Sequence, residues 1–446
     1  MRMSEFVVTA LFVALCGAGE ALSAGPANPN PGAPVRELYE EFMRDQPALE
    51  FVVESDRVVP STEDPSVTLR RVEGRFVSQM VFGKPLTHHV VMLIPTDKRL
   101  LQSPWRRGKV VIVGSIERHF HESFLVNYGH PMAARLGYPT MILPNPGSTP
   151  DDPGREWSIR NLWAEGVPRK ATNHYFFRLA IPYLRAMDVF ADTLKIPRRD
   201  IRAVIGGHSK RAPSAYTAAA IRPQNVAGVV FMGMEGQWGR KVGTEYAPVS
   251  PLANRRYVTA KCIYLGATNE DGYTMFNVTH NQGLLEKPWI VSMVPNYRHA
   301  AESPQQFIVW RMFVAHVFDD RPVAIIRDVR HEETDDGIIF RARVEDRNRL
   351  VQVRAWYAYC DDVPLWRDIV WYPVVMRRRE GPEPLYEGYE RGKTPDAWMV
   401  EVEDVAQGVH GYVTSCPQNI TGKPAEERTS RGSRSRHWDE KRSPGR

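Results

Sequence analysis

The chain has 446 residues, of which 43% are hydrophobic and 25% are charged, proportions typical of soluble globular proteins. This composition excludes a largely disordered chain, a coiled coil and a collagen-like fibre. The net charge is +6, and the terminal residues 419–446 contribute eight basic and four acidic side chains. The rest of the chain is therefore nearly neutral, which does not favour a nucleic-acid-binding face. Four cysteines are too few for a disulfide scaffold.

Residues 1–24 have the pattern of a secretory signal peptide. Arg2 precedes the apolar run Phe6–Leu15, and small residues then lead to Ala24. The run is shorter than the roughly 20 apolar residues that a membrane helix needs, and no later stretch approaches that length. The sequence therefore predicts a secreted or periplasmic protein without stable membrane insertion, with an N-terminal membrane anchor as the alternative. A linker rich in proline and glycine is expected over residues 25–37.

Seven short apolar segments predict strands that are buried on both faces. They are Val90–Ile94, Val110–Val113, Thr140–Leu143, Ala203–Ile205, Val229–Phe231, Ile263–Leu265 and Ile290–Val294. Segments with helical spacing of apolar residues lie between many of them, and Pro182 is expected to start or kink the helix that ends near Leu194. The alternation predicts an α/β catalytic domain over residues 38–321, with a mostly parallel sheet covered by helices on both faces.

The pattern changes near Pro322. Residues 322–418 show period-two alternation, broken by turn residues and without helical spacing, which predicts a small antiparallel β-sandwich. Residues 419–446, rich in arginine, serine and glycine, are expected to form a disordered basic tail. Cys360 and Cys416 fall within residues 322–418, and they are expected either to form a disulfide or to remain two buried thiols.

A serine stands at the predicted strand-to-helix turn after Ala203–Ile205. The segment Gly206–Arg211 has the sequence Gly-Gly-His-Ser-Lys-Arg, and an alanine-rich helix is predicted after it. A strand, a sharp turn and a helix form the setting in which a serine, here Ser209, becomes an exposed nucleophile. The N–H of Lys210 at the helix start is expected to face the oxyanion of acyl transfer. The G-x-S-x-G pattern is only half met, because Arg211 replaces the second glycine, so a structural turn is the alternative.

The groups that would activate this serine follow later predicted strands. A serine hydroxyl needs a base and the base needs an orienting carboxylate, in the chain order serine, acid, histidine. Glu270 and Asp271 follow Ile263–Leu265, and His299 follows Ile290–Val294. Because parallel strands end at the same edge of a sheet, these groups are expected to meet there. Adjacent loop residues point in different directions, so only one carboxylate reaches the histidine, and the longer Glu270 is preferred to Asp271.

Four segments carry a family resemblance: Ala180–Asp188, Ser209–Arg211, Ala267–Asp271 and Val294–His299. In combination they resemble the PhoPQ-activated pathogenicity-related protein family, a branch of the α/β-hydrolase fold. The likeness runs from about Leu38 through the C-terminal sandwich. It implies an α/β-hydrolase fold and a serine-hydrolase site, but it implies little about the substrate. Where that family has an aspartate in its acid loop, this chain has a glutamate.

Several other polar groups are candidate site residues. The second oxyanion donor is expected to be the N–H of Ser115 or Ile116, in the loop after Val110–Val113. Arg211 is expected either to bind an anionic group of the substrate or to pair with an internal carboxylate, and the second is preferred. His208 is expected to be a packed or solvent-facing turn residue rather than a second base.

No metal or cofactor is expected from the sequence. The segment Arg118–Glu122 contains two histidines and a carboxylate, but it lacks the i, i+4 spacing of a zinc-protease helix. No glycine-rich phosphate loop follows any predicted strand.

The sequence thus predicts an exported serine hydrolase that cleaves a small-molecule or polymeric ester or amide through an acyl-enzyme. A non-catalytic binding protein on a hydrolase scaffold and a polysaccharide-ester hydrolase are the alternatives. The oligomeric state is not predicted.

Overall fold

The structure, a computed structural model, describes residues 33–115, 121–144, 168–233, 244–270, 275–285, 287–345, 347–360 and 366–421. The predicted signal peptide, the linker up to residue 32, Asp271 and the tail from residue 422 lie outside these ranges.

Nine strands of the described residues form one mixed sheet. They are β1 (Phe51–Pro60), β2 (Thr68–Val81), β3 (Lys84–Pro95), β4 (Lys109–Ser115), β5 (Thr140–Pro144), β6 (Arg202–His208), β7 (Val226–Met232), β8 (Lys261–Asn269) and β9 (Ile290–Arg298). Their order across the sheet is β1-β2-β3-β5-β4-β6-β7-β8-β9. The first four strands in this order pair antiparallel, and all pairings from β5 to β9 are parallel. Each predicted apolar segment lies within one of the strands β3 to β9, which confirms the mostly parallel α/β sheet.

Helices cover both faces of this sheet, as predicted. They are α1 (Pro34–Met43), α2 (Lys98–Gln102), α3 (His121–Phe124, continued by π-helical turns at Leu125–Gly129 and Pro131–Arg135), α4 (Tyr175–Leu194), α5 (Arg211–Ile221), α6 (Pro251–Asn254), α7 (Phe276–Gln282) and α8 (Pro304–Phe318). Alternation along β4 explains the two layers. Val110 and Ile112 join the core beneath α4 and α5, whereas Val111 and Val113 join the core beneath α8. Among the described helices, none combines the length and the apolar character that crossing a bilayer requires.

The C-terminal strands form two antiparallel sheets with a common core. They are β10 (Ile325–Glu333), β11 (Gly337–Glu345), β12 (Arg349–Ala358), β13 (Trp371–Val375), β14 (Arg377–Arg378), β15 (Leu385–Arg391), β16 (Ala397–Ala406), β17 (Val409–Thr414) and β18 (Gln418–Asn419). One sheet has the order β10-β11-β15-β14, and the other has the order β13-β12-β16-β17 with β18 also paired to β16. Phe340 of the first sheet and Trp398 of the second lie 4.9 Å apart between ring centroids, inside a shared apolar cluster. This arrangement confirms the predicted sandwich.

Some expectations differ from the structure. Helix α1 begins at Pro34, inside the segment assigned to the linker, because proline at the first helical position is well tolerated. Pro182 lies inside α4 and not at its start. Strand β18 includes Asn419, which was assigned to the tail. Cys360 and Cys416 are not joined by a disulfide, so that alternative is not realised.

Candidate active site

Ser209 occupies a strained turn at the carboxyl end of a parallel strand. It directly follows β6 and precedes α5, and its φ of 59° lies in the left-handed region that L-residues rarely adopt. The Ser209 N–H donates to the carbonyl of Met232 at 2.8 Å, and the Ser209 carbonyl accepts from Ala212 N at 2.9 Å. These two bonds hold the turn between strand and helix, as expected for a nucleophile elbow.

Small residues before the serine make this turn possible. A Cβ atom on Gly207 would lie 2.7 Å from the Tyr183 hydroxyl and 2.8 Å from Cβ of Arg211. The Tyr183 hydroxyl donates to the carbonyl of Gly206 at 3.0 Å, so it occupies that space permanently. Glycine is therefore required at position 207 for steric reasons.

Arg211, which stands where the motif has its second glycine, is buried. Its Nε donates to the carbonyl of Ser115 at the end of β4, at 2.9 Å. The guanidinium thus turns toward the neighbouring strand and away from the helix–strand contact. The hydroxyl of Ser115 is also buried, without a hydrogen-bond partner among the described residues. Ile116, the other candidate for the second oxyanion amide, lies outside them.

Glu270 and His299 are in direct contact. Glu270 follows β8 and His299 follows β9, and His299 Nδ1 lies 2.5 Å from Glu270 Oε2. The glutamate side chain is 1% exposed, whereas the histidine side chain is 26% exposed. A buried carboxylate that accepts from Nδ1 fixes the tautomer and leaves Nε2 as the nitrogen able to accept a proton. Asp271, the other candidate acid, lies outside the described residues.

His208 was not predicted as a site residue, yet its ring lies against that of His299. The two centroids are 4.1 Å apart, and His208 is 2% exposed. Burial, and then the nearby His299 and Arg211, hold the pKa of His208 well below its ordinary value. Neither ring nitrogen has a hydrogen-bond partner among the described residues. Of the two sequence alternatives the packed one is correct, although the ring packs on the proposed base.

A chain of polar contacts links the acid and histidine loops to the C-terminal sheets. Asn269, directly before the acid, donates through Nδ2 to the carbonyls of Arg367 at 3.0 Å and Ile369 at 2.6 Å. Thr268 Oγ1 donates to Asn269 Oδ1 at 2.6 Å and accepts from the Asn296 N–H at 2.9 Å. Thr268, Asn269 and Asn296 lie in two of the segments that carry the family resemblance, and nothing in their residue types indicated such contacts.

One group of side chains in the described residues has the composition of a metal site. His208, Glu270 and His299 each offer one ligand atom, and these atoms lie within 4.8 Å of one another. This group is not the segment Arg118–Glu122 that the sequence offered as a metal site. Residues 118–120 of that segment lie outside the described part of the chain. Its Glu122 carboxylate accepts a hydrogen bond from Arg71 at 2.9 Å.

The strand order and the elbow define an α/β-hydrolase fold. Ser209, Glu270 and His299, which the sequence predicts as nucleophile, acid and base, follow β6, β8 and β9 respectively. No protein-family model matches the chain, and no curated protein matches it in sequence.

Solved structures that resemble the chain include several hydrolases. Lipase A of Candida antarctica is 9% identical with a TM-score of 0.37, over 60% of this chain and 82% of that one. Acetyl xylan esterase from a Paenibacillus species is 14% identical with a TM-score of 0.38, over 62% and 92% of the two chains. Acetyl xylan esterase 1 from a Thermoanaerobacterium species is 9% identical with a TM-score of 0.37, over 60% and 89%.

Proposed function

We propose that the chain is a serine hydrolase that cleaves an ester or amide through an acyl-enzyme. The observation that carries the proposal is the 2.5 Å contact between His299 Nδ1 and Glu270 Oε2, at the sheet edge where Ser209 occupies its left-handed turn. A serine is activated by an imidazole that a buried carboxylate orients, and here the half-buried Ser209 is proposed as the hydroxyl that this imidazole serves.

In this reaction the Ser209 hydroxyl attacks the substrate carbonyl while His299 Nε2 accepts the hydroxyl proton. Glu270 stabilises the imidazolium that forms and keeps its ring in place. The same proton is delivered to the leaving group as the carbon–oxygen or carbon–nitrogen bond breaks. Water then attacks the acyl-enzyme by the reverse proton path and releases the acid.

The oxyanion is assigned to the amino end of α5. The Lys210 N–H is the first amide after the serine, and an eleven-residue helix places the positive end of its dipole there. Ser115 N–H is the proposed second donor. Arg211, which directly follows Lys210, connects the start of α5 to the end of β4 through its hydrogen bond to the Ser115 carbonyl. It is proposed to hold the β4 loop in position and, through its charge, to favour substrates with an anionic group.

Export is part of the proposal, on the basis of the apolar run that ends at Leu15. Membership of the PhoPQ-activated pathogenicity-related family is likewise proposed from the segments around Ser209 and His299.

A fluorophosphonate probe tests the nucleophile directly, because it labels only activated serines. We expect the wild-type chain to be labelled and Ser209→Ala to lose labelling. Hydrolysis of p-nitrophenyl acetate should fall by on the order of 10⁴-fold or more in Ser209→Ala and in His299→Ala. Ser214→Ala is the matched control, since Ser214 is a buried serine of α5 whose hydroxyl donates to the Lys210 carbonyl. An unlabelled wild type, or undiminished labelling of Ser209→Ala, would show a non-catalytic scaffold.

A further inference from the structure

Three potential metal ligands converge beside the proposed nucleophile. They come from three strand ends, with His208 ending β6, Glu270 following β8 and His299 following β9. One ring nitrogen of each histidine and one carboxylate oxygen lie within 4.8 Å of one another. A triad accounts for the contact between Glu270 and His299, but it assigns no role to His208.

The imidazole of His208 is the observation that points to a ligand. It is 2% exposed, and both its nitrogens lack a hydrogen-bond partner among the described residues. Leaving a buried polar group unsatisfied costs about 1–3 kcal/mol, so such groups usually have an unseen partner. The ring also faces the acid. An atom placed at the Cβ position of Gly233 would lie 2.6 Å from His208 Nε2 and 3.3 Å from Glu270 Oε1, the oxygen that does not contact His299.

We propose that His208, Glu270 and His299 form a Zn²⁺ site whose occupation reversibly inhibits the hydrolase. The proposal that zinc binds depends on the three side chains alone, whereas the proposal that zinc inhibits hydrolysis rests on the proposed function.

The ligand set favours zinc over harder cations. Two imidazoles and one carboxylate, with a fourth position left for water, are a composition that proteins use for Zn²⁺, whereas Mg²⁺ and Ca²⁺ take oxygen ligands. Tetrahedral zinc with bonds of about 2.0–2.2 Å separates its ligand atoms by about 3.4 Å. The separations of up to 4.8 Å must therefore shorten by at most about 1.4 Å when the ion binds.

The same geometry explains inhibition. The His299 Nδ1 to Glu270 Oε2 separation of 2.5 Å must open to about 3.4 Å when both atoms bind one zinc ion. Zn²⁺ takes the place of the proton on His299 Nδ1, and the neutral imidazole that binds the ion then carries its ring proton on Nε2, with no net release of a proton. The histidine then carries a bound cation and loses its orienting carboxylate, so it no longer serves as a base. The positive charge of the Arg211 guanidinium acts on His208 and repels a zinc ion bound there. We therefore expect a lower zinc affinity than at a closed structural zinc site.

Isothermal titration of the chelator-treated full chain with ZnCl₂ tests binding without any assay of catalysis. We expect one ion per chain for the wild type. His208→Phe, which keeps an aromatic ring of similar size, should lower the zinc affinity at least about tenfold. Loss of a residue that only hydrogen-bonds to a metal ligand already lowers metal affinity by about that factor. Glu270→Gln, which keeps the shape of the side chain, should do the same if the phenylalanine variant does not fold. The control is His280→Phe, an exposed histidine of α7.

Hydrolysis of p-nitrophenyl acetate with added ZnCl₂, followed by EDTA, tests inhibition. We expect wild-type hydrolysis to fall and to recover with the chelator, and the half-inhibitory zinc concentration to rise at least about tenfold in His208→Phe. The site is wrong if the wild type takes up no zinc or if His208→Phe binds it equally well. Zinc uptake without any hydrolysis supports the site and contradicts the proposed function. Zinc-dependent hydrolysis by Ser209→Ala would instead make the ion catalytic and overturn inhibition.

Discussion

Asn296 of β9 and Trp371 of β13 exchange two hydrogen bonds between the large sheet and the C-terminal sheets. Asn296 Nδ2 donates to the Trp371 carbonyl at 2.9 Å, and the Trp371 N–H donates to Asn296 Oδ1 at 2.7 Å. Asn296 has a φ of 56°, which asparagine tolerates better than most residues. His299 lies three residues further on, so the sheet that carries Trp371 fixes the approach of the chain to the proposed base.

Asn296→Gly should separate this positioning role from backbone strain. Glycine adopts the positive φ without steric strain, so the folded state loses the two side-chain hydrogen bonds and gains no backbone strain. We expect kcat to fall about tenfold or more with a small change in KM, because small displacements of a catalytic group are costly. The free energy of unfolding should fall by about 1–3 kcal/mol. Steady-state kinetics and urea denaturation measure the two effects.

The control for that variant is Asn225→Gly, at the amino-terminal ends of the parallel strands and therefore at the end of the sheet opposite to the proposed site. Asn225 Nδ2 also donates two hydrogen bonds, to the carbonyls of Arg198 at 2.9 Å and Ile201 at 3.0 Å, just before β7. This variant should lose comparable stability and keep its kcat. An equal loss of kcat in both variants would mean that Asn296 acts only through general stability.

Glu270→Gln tests the acid of the proposed triad. Glutamine keeps the side-chain shape, but its amide does not stabilise an imidazolium and favours the wrong tautomer of His299. We expect kcat for p-nitrophenyl acetate to fall on the order of 10³–10⁴-fold. Asp271→Asn, one residue further along, should stay within a few-fold of the wild type. A larger loss in Asp271→Asn than in Glu270→Gln would move the acid to Asp271.

The sheet was predictable where burial dictates composition. Val110–Val113 is continuously apolar because helices cover both faces of β4, and that pattern identifies a central parallel strand. Strand β1 was missed because it lies at the edge of the sheet, where Val52, Val53 and Val58 are exposed among charged residues. Its residues carry little of the alternation that burial of one face produces.

The candidate site was predictable as far as chain order determines it. The placement of Glu270 and His299 after successive strands follows from the order of the apolar segments, although β8 and β9 run beyond the predicted segments to Asn269 and Arg298. Partners across the fold do not follow from such patterns. The contact of His208 with His299 depends on ring orientation, and the bonds of Asn296 depend on how the C-terminal sheets dock. Both are set by tertiary packing and leave no periodic signal in the sequence.

Two buried histidines should make the protein less stable in mild acid. Burial lowers the pKa of His174 from 6.5 to about 4, and it holds the pKa of His208 well below 6.5. Below pH 6.5 the unfolded chain therefore binds protons that the folded chain excludes, so stability is complete above that pH and falls as the pH falls. Each histidine contributes about 1.4 kcal/mol per pH unit, which for His174 amounts to about 3 kcal/mol by pH 4.

Urea denaturation at pH 7.5, 6.5 and 5.5 measures this dependence. His174 caps α4, where its Nδ1 accepts from the Phe176 N–H at 3.1 Å, and asparagine can accept the same bond. His174→Asn should therefore reduce the loss of stability between pH 6.5 and 5.5 by about 1 kcal/mol, and His208→Phe should do so independently. If both variants keep the wild-type slope, other groups cause the acid sensitivity.

Gly233→Ala should damage the site through a single methyl group. Gly233 follows β7 with a φ of 62°, and a Cβ there would meet His208 Nε2 at 2.6 Å. Gly83, in the β2–β3 turn, has a φ of 76° and open space around its Cβ position, so Gly83→Ala carries only the backbone cost of about 1–2 kcal/mol. We expect Gly233→Ala to lose stability and also on the order of 100-fold in kcat/KM, because His208 must move against His299. Gly83→Ala should keep its kcat/KM. Equal kinetics for the two variants would show that the His208 ring does not position the proposed base.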